Sequence, residues 1–476
     1  MVSPLASPNH REKVQRLQAD VRRFFAAKKK VRIYHGGTNS TRPLPHQRDS
    51  IVDISSFTEV LSLDPEEESA WVEPNVPMKA LVDATLAQGL IPPVVMELRS
   101  ITVGGGIQGG AGESSSFRFG LFHDNCLAFE AVLGNGDIIT ASPTENPEFF
   151  TGLPCTYGTI AVITAAKLKL IKAKPYVRLR YDRVENYTKA ITQIKAATQR
   201  PEIDFIDAII FRPGHGVVMT GSYTDTDITD TVPLQQTLRA RDDWFYLQVE
   251  KIIRRHAHAE TNLPIRDYLF RYNRGAFWTG RYGFELLHLP FIRALRFILS
   301  PIFKTRILYH LLHTTGVSQR YLIQDCSLPQ ETILPFLDFL DSEIRIYPLW
   351  ICPLRPPRAV AAATYGFLDT ELMINVGIWG KADLPYTAFV TLNRRLEKIV
   401  TQLKGCKVLY AHSYYTEEEF WSIYRRDYYD RLRERAFAHT VFPNIYEKVI
   451  VKEQVRQAIL TGLLRGLLPP YRLPLK

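Results

Sequence analysis

The sequence predicts an α+β protein in which a two-part domain is interrupted by an inserted α/β cap. Three features lead there. Residues 100–172 are dense in glycine and β-branched residues. After Lys174–Pro175 the pattern changes to an alternating strand, a helical stretch and two more strands. Helical sequence returns after about residue 405. These shifts divide the chain into 1–174, 175–404 and 405–476, with the last part returning to the first. The 476 residues are 46% hydrophobic and 23% charged, which excludes a disordered or collagen-like chain.

Residues 11–28 have helical character, and VRIYHGG, SIVDIS and SAWVEP follow as short strands and turns. Residues 77–89 predict a helix, with Pro77 suited to a first turn and Gly89 to a stop. LAFEAVL and DIITA flank the GNGD turn as a hairpin. In the cap, VRLRYDRV is an alternating strand, residues 186–199 are helical, and FIDAIIF and VVMTGSY are strands, a βαβ-like opening. The basic, aromatic stretch 240–325 is expected to be helical, and 344–380 to return to strand. Thr416–Glu419 is a capping box that predicts a helix through FWSIYRRDYYDRLRERA.

A net charge of +10 admits nucleic acid, phosphate cofactors or membrane as partners. The excess is local. Residues 1–32 hold nine Lys/Arg against two acids, and residues 251–325 hold twelve against four, so the remainder is mildly acidic. Helix-turn-helix, zinc-finger and aromatic RNA-binding signatures are lacking, and no nucleic-acid partner is expected. Five scattered cysteines without a CxxC argue against a disulfide framework or a metal site. The N-terminus has no apolar core, and the uncharged window 149–166 is broken by Gly152, Pro154 and Gly158. No signal peptide or transmembrane helix is expected, and the location is expected to be cytoplasmic. Residues 284–312 alternate apolar residues with Arg293, Arg296, Lys304 and Arg306. That suits either a helix lying on an anionic membrane or a cap helix covering its own core. The apolar tail 449–468 has the same two readings.

The strongest chemistry lies in glycine. In IYHGGTNST, residues 33–41, Gly36 and Gly37 permit left-handed backbone and close approach, and Thr38, Asn39, Ser40 and Thr41 add small donors. A plain surface turn is the alternative. In TVGGGIQGGAGESSS, residues 102–116, six of fifteen positions are glycine. Gly104, Gly106 and Gly109 satisfy GxGxxG, but an opening helix and a ribose-binding acid are not evident, so the dinucleotide fingerprint is set aside. A glycine-dense loop instead lets backbone amides lie flat against a large planar ligand and its phosphates. The segment CTYGTIAVITAAKLKL, residues 155–170, predicts a buried strand edging such a ligand near Gly158, Thr159 and Ile163.

These three segments, in this order, resemble the FAD-binding PCMH-type fold of the vanillyl-alcohol oxidase group. Within it, IPPVVMELRSITVGGGIQGGAGESSSFRFGLFHDNCLAFEAVLGNGD, SPTENPEFF, IYPLWICP and EEEFWSIYRRDYYDRLRER resemble the delta-24-sterol reductase family. The similarity runs from about residue 31 to about 448. It implies noncovalent FAD, NADPH as reductant, and reduction of an isolated double bond in a sterol or isoprenoid lipid. The flavin is then expected along Gly36–Thr41, and along Thr102, Val103, Gly104, Gly105, Gly106, Ile107, Gly109, Gly112, Glu113, Ser114 and Ser115. Thr38 follows Gly37 where relatives in the wider group carry a flavin-linking histidine, so no covalent link is expected there. His35 is a strand-end histidine.

Reducing an isolated alkene takes a hydride from the cofactor and a proton from the protein. Glu113 is the first candidate acid, with a loop-bracing role as the alternative. Tyr272 and Tyr415 are further candidates, each equally a packing tyrosine, and His123 has a polar or structural role. Arg271 and Arg274 are expected either to meet NADPH phosphates or to be solvated cap cations. Competing functions are a flavin-dependent oxidase or dehydrogenase acting on a sugar or polyprenyl-linked sugar, and a flavin-dependent double-bond isomerase.

Overall fold

Helix Pro8–Ala26 begins with proline in its first turn and buries His10, Val14, Leu17, Val21 and Phe24, spaced three or four apart. In this computed structural model, which describes residues 4–37, 40–42, 48–226, 232–303, 305–356, 370–455 and 458–467, that stripe packs on the first of two sheets. His10 ties helix to sheet, with Nδ1 at 2.8 Å from Glu73 and Nε2 at 2.9 Å from Glu130. Burial opposes a charge on His10, but the bonds to Glu130 and Glu73 outweigh it and lift its pKa to about 9.

The first sheet has five antiparallel strands in the order Val60–Asp64, Ser69–Val72, Val162–Lys169, Cys126–Val132, Ile138–Ala141. The expected hairpin across the GNGD turn is present, with Gly136 at φ +84°. A parallel pair, Arg32–Tyr34 with Ile51–Asp53, leads into the first glycine turn.

The second sheet has eight antiparallel strands in the order His258–Pro264, Tyr176–Val184, His215–Thr224, Phe205–Arg212, Leu349–Leu354, Met373–Lys381, Tyr321–Pro329, Cys406–Lys407. Tyr176–Val184 and Phe205–Arg212 run parallel across the intervening His215–Thr224, so the βαβ opening is split by a third strand. Alternate residues face two cores. Ile206, Ala208 and Ile210 pack under helices Tyr187–Thr198, Ile333–Phe339 and Tyr386–Gln402. Phe205, Ile209 and Trp350 face the core shared with the first sheet. The cavity described below lies between the two sheets.

Three local expectations change. Residues 240–325 are not wholly helical, because His258–Pro264 pairs as an edge strand with Tyr176–Asp182. Its polar sequence gives little strand signal, and pairing decides its state. The helix opened by the Thr416–Glu419 capping box stops at Ile423, and a second helix spans Arg426–Arg435. The break lets Phe420 and Tyr424 bury together, with ring centroids 4.4 Å apart, while Tyr429 bonds Thr159 at 2.7 Å. The glycine-dense stretch is not a loop throughout: Val103–Gly109 is a helix capped by Thr102 Oγ1, which accepts from Gly105 N at 3.2 Å, and ended by left-handed Gly110. Close packing outweighs poor helix propensity here. A Cβ on Gly104 would sit 2.8 Å from Pro74 Cβ, and one on Gly106 2.4 Å from Met96 Cε.

Candidate active site

The two sheets enclose a cavity of about 900 Å³. One wall is backbone. The glycine helix lines it through Thr102, Gly104, Gly105 and Gly109, and the turn after it through Gly112. A Cβ on Gly37 or Gly109 would meet nothing within 4 Å, so both positions leave open space at the wall. Next to the helix, Cys155, Tyr157 and Gly158 all have positive φ, a conformation that non-glycine residues adopt only when held. Gln108 does the holding. Its Oε1 accepts from Gly158 N at 2.8 Å and Thr156 Oγ1 at 3.0 Å, while Cys155 N donates to Ile107 O at 3.1 Å.

This wall suits a flavin dinucleotide. Bare backbone leaves room for a flat ring, and three cations on the same wall, Arg32, Arg42 and Lys448, suit an anionic diphosphate. Arg42 Nε is buried with no hydrogen-bond partner among the described residues. Among the described residues no group of three or more His, Cys, Asp or Glu side chains could hold a metal ion.

The opposite wall is side chains. Phe277, Trp350 and Trp379 line it, with ring centroids 4.4–5.9 Å apart. Beyond them the cavity is walled by Leu286, Leu289, Leu299, Ile302, Leu308 and Leu312. Asp325 also faces in, accepting from Tyr410 OH at 2.6 Å and Asn375 Nδ2 at 2.9 Å.

Behind the cavity surface lies a buried charge network. Asp207 accepts from Arg271 at 2.9 Å, Tyr272 OH at 2.7 Å and Trp350 Nε1 at 3.1 Å. Glu113, 2% exposed, accepts from Ser114 Oγ at 2.6 Å, from Ser115 N at 3.0 Å and from Ser115 Oγ. Glu97 lines the cavity, and its Oε1 has no hydrogen-bond partner among the described residues. Three carboxyls lie around the single guanidinium of Arg271 in a buried region, which favours the protonated form of a carboxyl that lacks its own donors. Asp207 holds Arg271 and Glu113 holds the serine donors, whereas Glu97 Oε1 has neither among the described residues. Burial, reinforced by the Glu113 carboxylate, raises Glu97 well above the ordinary range. Burial also raises Glu113, against the pull of Ser114 and Ser115.

The residues singled out from sequence divide accordingly. Gly37, Ser40, Thr102, Gly104, Gly105, Gly109, Gly112, Gly158 and Ile163 line the cavity, as does His35. Gly36 sits behind them at the turn, and Thr41 is buried with its hydroxyl 3.4 Å from His412 Nδ1. Thr38 and Asn39 lie outside the described residues. Val103, Gly106 and Ile107 are the buried side of the glycine helix, and Thr159 is buried against Tyr429.

The expected acids are not at the surface of the cavity. Glu113 turns away into the Ser114–Arg271 network, because its flanking serines offer donors on that side. Tyr272 lies one layer back, stacked on Phe277 at 4.1 Å with its hydroxyl donated to Asp207. Tyr415 is 4% exposed, with its ring 5.4 Å from Lys407 Nζ. His123 is buried with Nδ1 3.8 Å from Cys155 Sγ. Arg271 and Arg274 are neither solvated nor at the cavity: Arg271 is 1% exposed in the Asp207 pair, and Arg274 donates to the carbonyls of Thr237, Ala240 and Asp242. Sequence reasoning missed Glu97, Gln108, Arg42 and Lys448. Glu97 stands five residues before Thr102, a proximity to the glycine segment that marks it as worth weighing.

Comparison with known proteins fits this geometry. Residues 5–142 match the model of the FAD binding domain. The chain is 28% identical over 456 residues to the Delta(24)-sterol reductase of Macaca fascicularis, covering 92% of this chain and 86% of that one. It is 26% identical over 470 residues to the Delta(24)-sterol reductase homolog of Caenorhabditis elegans, covering 93% and 88%. With the Delta(24)-sterol reductase of Arabidopsis thaliana it shares 27% over 438 residues, covering 83% and 76%.

Proposed function

The chain carries an FAD-binding domain and is a homologue of the delta(24)-sterol reductases; from that premise we propose that it is an FAD-dependent oxidoreductase reducing an isolated carbon–carbon double bond of a sterol or related isoprenoid lipid. The observation that carries this reading is one cavity joining a glycine-rich wall to an aromatic and aliphatic one, with Glu97, a carboxyl that burial raises well above the ordinary range, on its lining. We assign the flavin to residues 1–174 and the segment after 405, and the lipid to the cap, residues 175–404.

Bound FAD, reduced by NADPH, supplies the hydride. Glu97 supplies the proton to the less substituted alkene carbon and recovers one from solvent after product leaves, so each turnover consumes one proton and one NADPH. Burial, with the Glu113 and Asp207 carboxylates, keeps the proton on Glu97 against the pull of Arg271. Phe277, Trp350 and Trp379 present ring faces toward positive charge developing at the more substituted carbon. The aliphatic wall excludes water, which would otherwise compete for that carbon.

The lipid would enter from a membrane surface. Ile292, Phe297 and Ile298 are more than half exposed, as are Leu460 and Leu464 on helix Ile459–Leu467. That helix packs on Thr305–Thr315 through Gly462, where a Cβ would lie 2.4 Å from Thr314 O, and turns Leu463 to the cavity. Leu287 and Arg306 belong both to the exposed surface and to the cavity wall, which puts the rim here. Among the described residues no helix is long and apolar enough to cross a membrane.

Purified protein should be yellow and release FAD on acid precipitation. Its flavin should be bleached by NADPH without oxygen and recoloured by a sterol with an isolated side-chain double bond. A colourless protein that takes up no FAD ends the flavin reading; reduced flavin indifferent to every sterol and isoprenoid alkene ends the substrate reading.

A further inference from the structure

The cavity has a cationic corner to which the hydride and proton transfers assign no role. Arg32, Arg42 and Lys448 come from three separate stretches of chain and meet around the Tyr157–Gly158 turn. Lys448 Nζ donates to Tyr157 O and lies 3.8 Å from where a Gly158 Cβ would be. The Arg42 guanidinium is 5.8 Å from the Tyr157 ring centroid. Arg42 is 4% exposed; Nη1 reaches Ala411 O at 3.4 Å, and Nε bonds nothing among the described residues. Glu447 is the carboxylate that acts on Arg32, and it is already paired with Lys30 at 3.2 Å.

Three cations beside one shared carboxylate leave buried positive charge uncompensated, which is costly without an anion. Burial brings Arg42 down to about 10 and, with Arg32 and Arg42 adding to it, Lys448 down to about 7. The corner also adjoins Gly37, where the wall leaves open space for a ligand. We infer that Arg32, Arg42 and Lys448 form a site for the diphosphate of a dinucleotide. Arg42 offers a planar fork and Lys448 a point charge, a pairing suited to two linked phosphates. The inference rests on the flavoprotein reading and deepens it. The diphosphate belongs either to FAD or to NADPH, and the two sources separate experimentally.

Apoprotein of wild type, Lys448→Met and Arg42→Met is titrated with FAD and with riboflavin, which lacks phosphate, by quenching of flavin fluorescence. Loss of one charge-assisted contact should weaken FAD about tenfold or more and leave riboflavin unchanged. Lys448→Arg and Arg42→Lys should recover most of the FAD affinity. Inorganic pyrophosphate should compete with FAD, but not riboflavin, for the unaltered apoprotein, a readout that survives any folding defect in the variants. In a second arm, NADPH binding to FAD-saturated protein is taken from the concentration dependence of anaerobic flavin reduction. Weakening confined to NADPH assigns the corner to the reductant. Unchanged FAD and NADPH affinities, or equal losses for FAD and riboflavin, overturn the site. Wild-type protein that binds no flavin removes the flavoprotein reading and the site together.

Discussion

The wall built from residues 33–37, 40–42, 96–112 and 155–163 is rich in glycine, whereas the wall built from 275–303, 305–325, 350–354 and 375–380 is mostly larger side chains. Each contains a strained turn: Cys155, Tyr157 and Gly158 in the first, and Gly275, Ala276 and Phe277 in the second, all at positive φ. The turns serve opposite ends. The first brings Gly158 to the surface and is held by Gln108. The second pushes Phe277 between Tyr272 and Trp379, at 4.1 and 4.4 Å. A bare surface needs glycine and tight packing behind it, while an aromatic surface needs bulk that many sequences can supply. Flavin and lipid therefore leave very different marks on one chain.

The sharpest break in this comparison should come from Glu97, which faces the space between the walls. Glu97→Gln should slow reoxidation of reduced flavin by the alkene by about a hundredfold or more, with the flavin spectrum and its reduction by NADPH unchanged. Stopped-flow absorbance reads all three. Because the raised carboxyl acts in its protonated form, wild-type reoxidation should be full at low pH and fall as pH rises through that raised value. The variant should lose this dependence. The folded chain keeps a proton here that the unfolded chain releases, so wild-type stability should also fall with pH above the ordinary carboxyl range, a slope that Glu97→Gln removes. A variant with unchanged reoxidation kinetics would exclude Glu97 as the donor.

A smaller effect separates the two sides of the glycine wall. Gly109→Ala adds a methyl to open space, so the apoprotein should be as stable or more stable by up to roughly 1 kcal/mol, while FAD binds several-fold more weakly. Gly104→Ala drives its methyl into Pro74, 2.8 Å away, so the apoprotein itself should lose stability. Thermal melts and FAD titrations should show these two patterns; identical behaviour would mean the helix does not separate a ligand face from a packing face. The smallest effect is expected at the rim. Phe297→Glu with Ile298→Glu should reduce sedimentation with anionic vesicles severalfold and leave turnover of detergent-dispersed sterol intact. Undiminished vesicle binding would remove the membrane role of this surface.

The backbone wall was legible because glycine has few other uses at such density. Six glycines in fifteen residues, and the GlyGly turn at 36–37, point to close approach whatever the fold. The hairpin at GNGD and the capping box at Thr416 were legible for the same local reason. The acid was not. Glu113 and Glu97 both border the glycine helix, and the difference between them is direction: Ser114 and Ser115 draw Glu113 inward, while Glu97 faces the cavity with an oxygen unpaired among the described residues. Tyr272 donates its hydroxyl to Asp207, far away in sequence, a contact that no local pattern shows. The two basic clusters also resolved only in three dimensions. Lys13 is taken up by Glu59 and Glu73, Arg271 by Asp207, and from residues 1–32 it is Arg32 that reaches the cavity.

By itself, then, the sequence determined the α+β class, the glycine surface for a flat cofactor and a chain rich enough in aromatic and apolar residues to hold a lipid. Those properties depend on local backbone freedom and composition. Tertiary structure alone decided which carboxyl is buried at the cavity lining, which cations gather in one corner, and where His258–Pro264 becomes a strand. Charge, burial and pairing depend on residues hundreds of positions apart, such as Arg42 and Lys448, and no local pattern encodes that meeting.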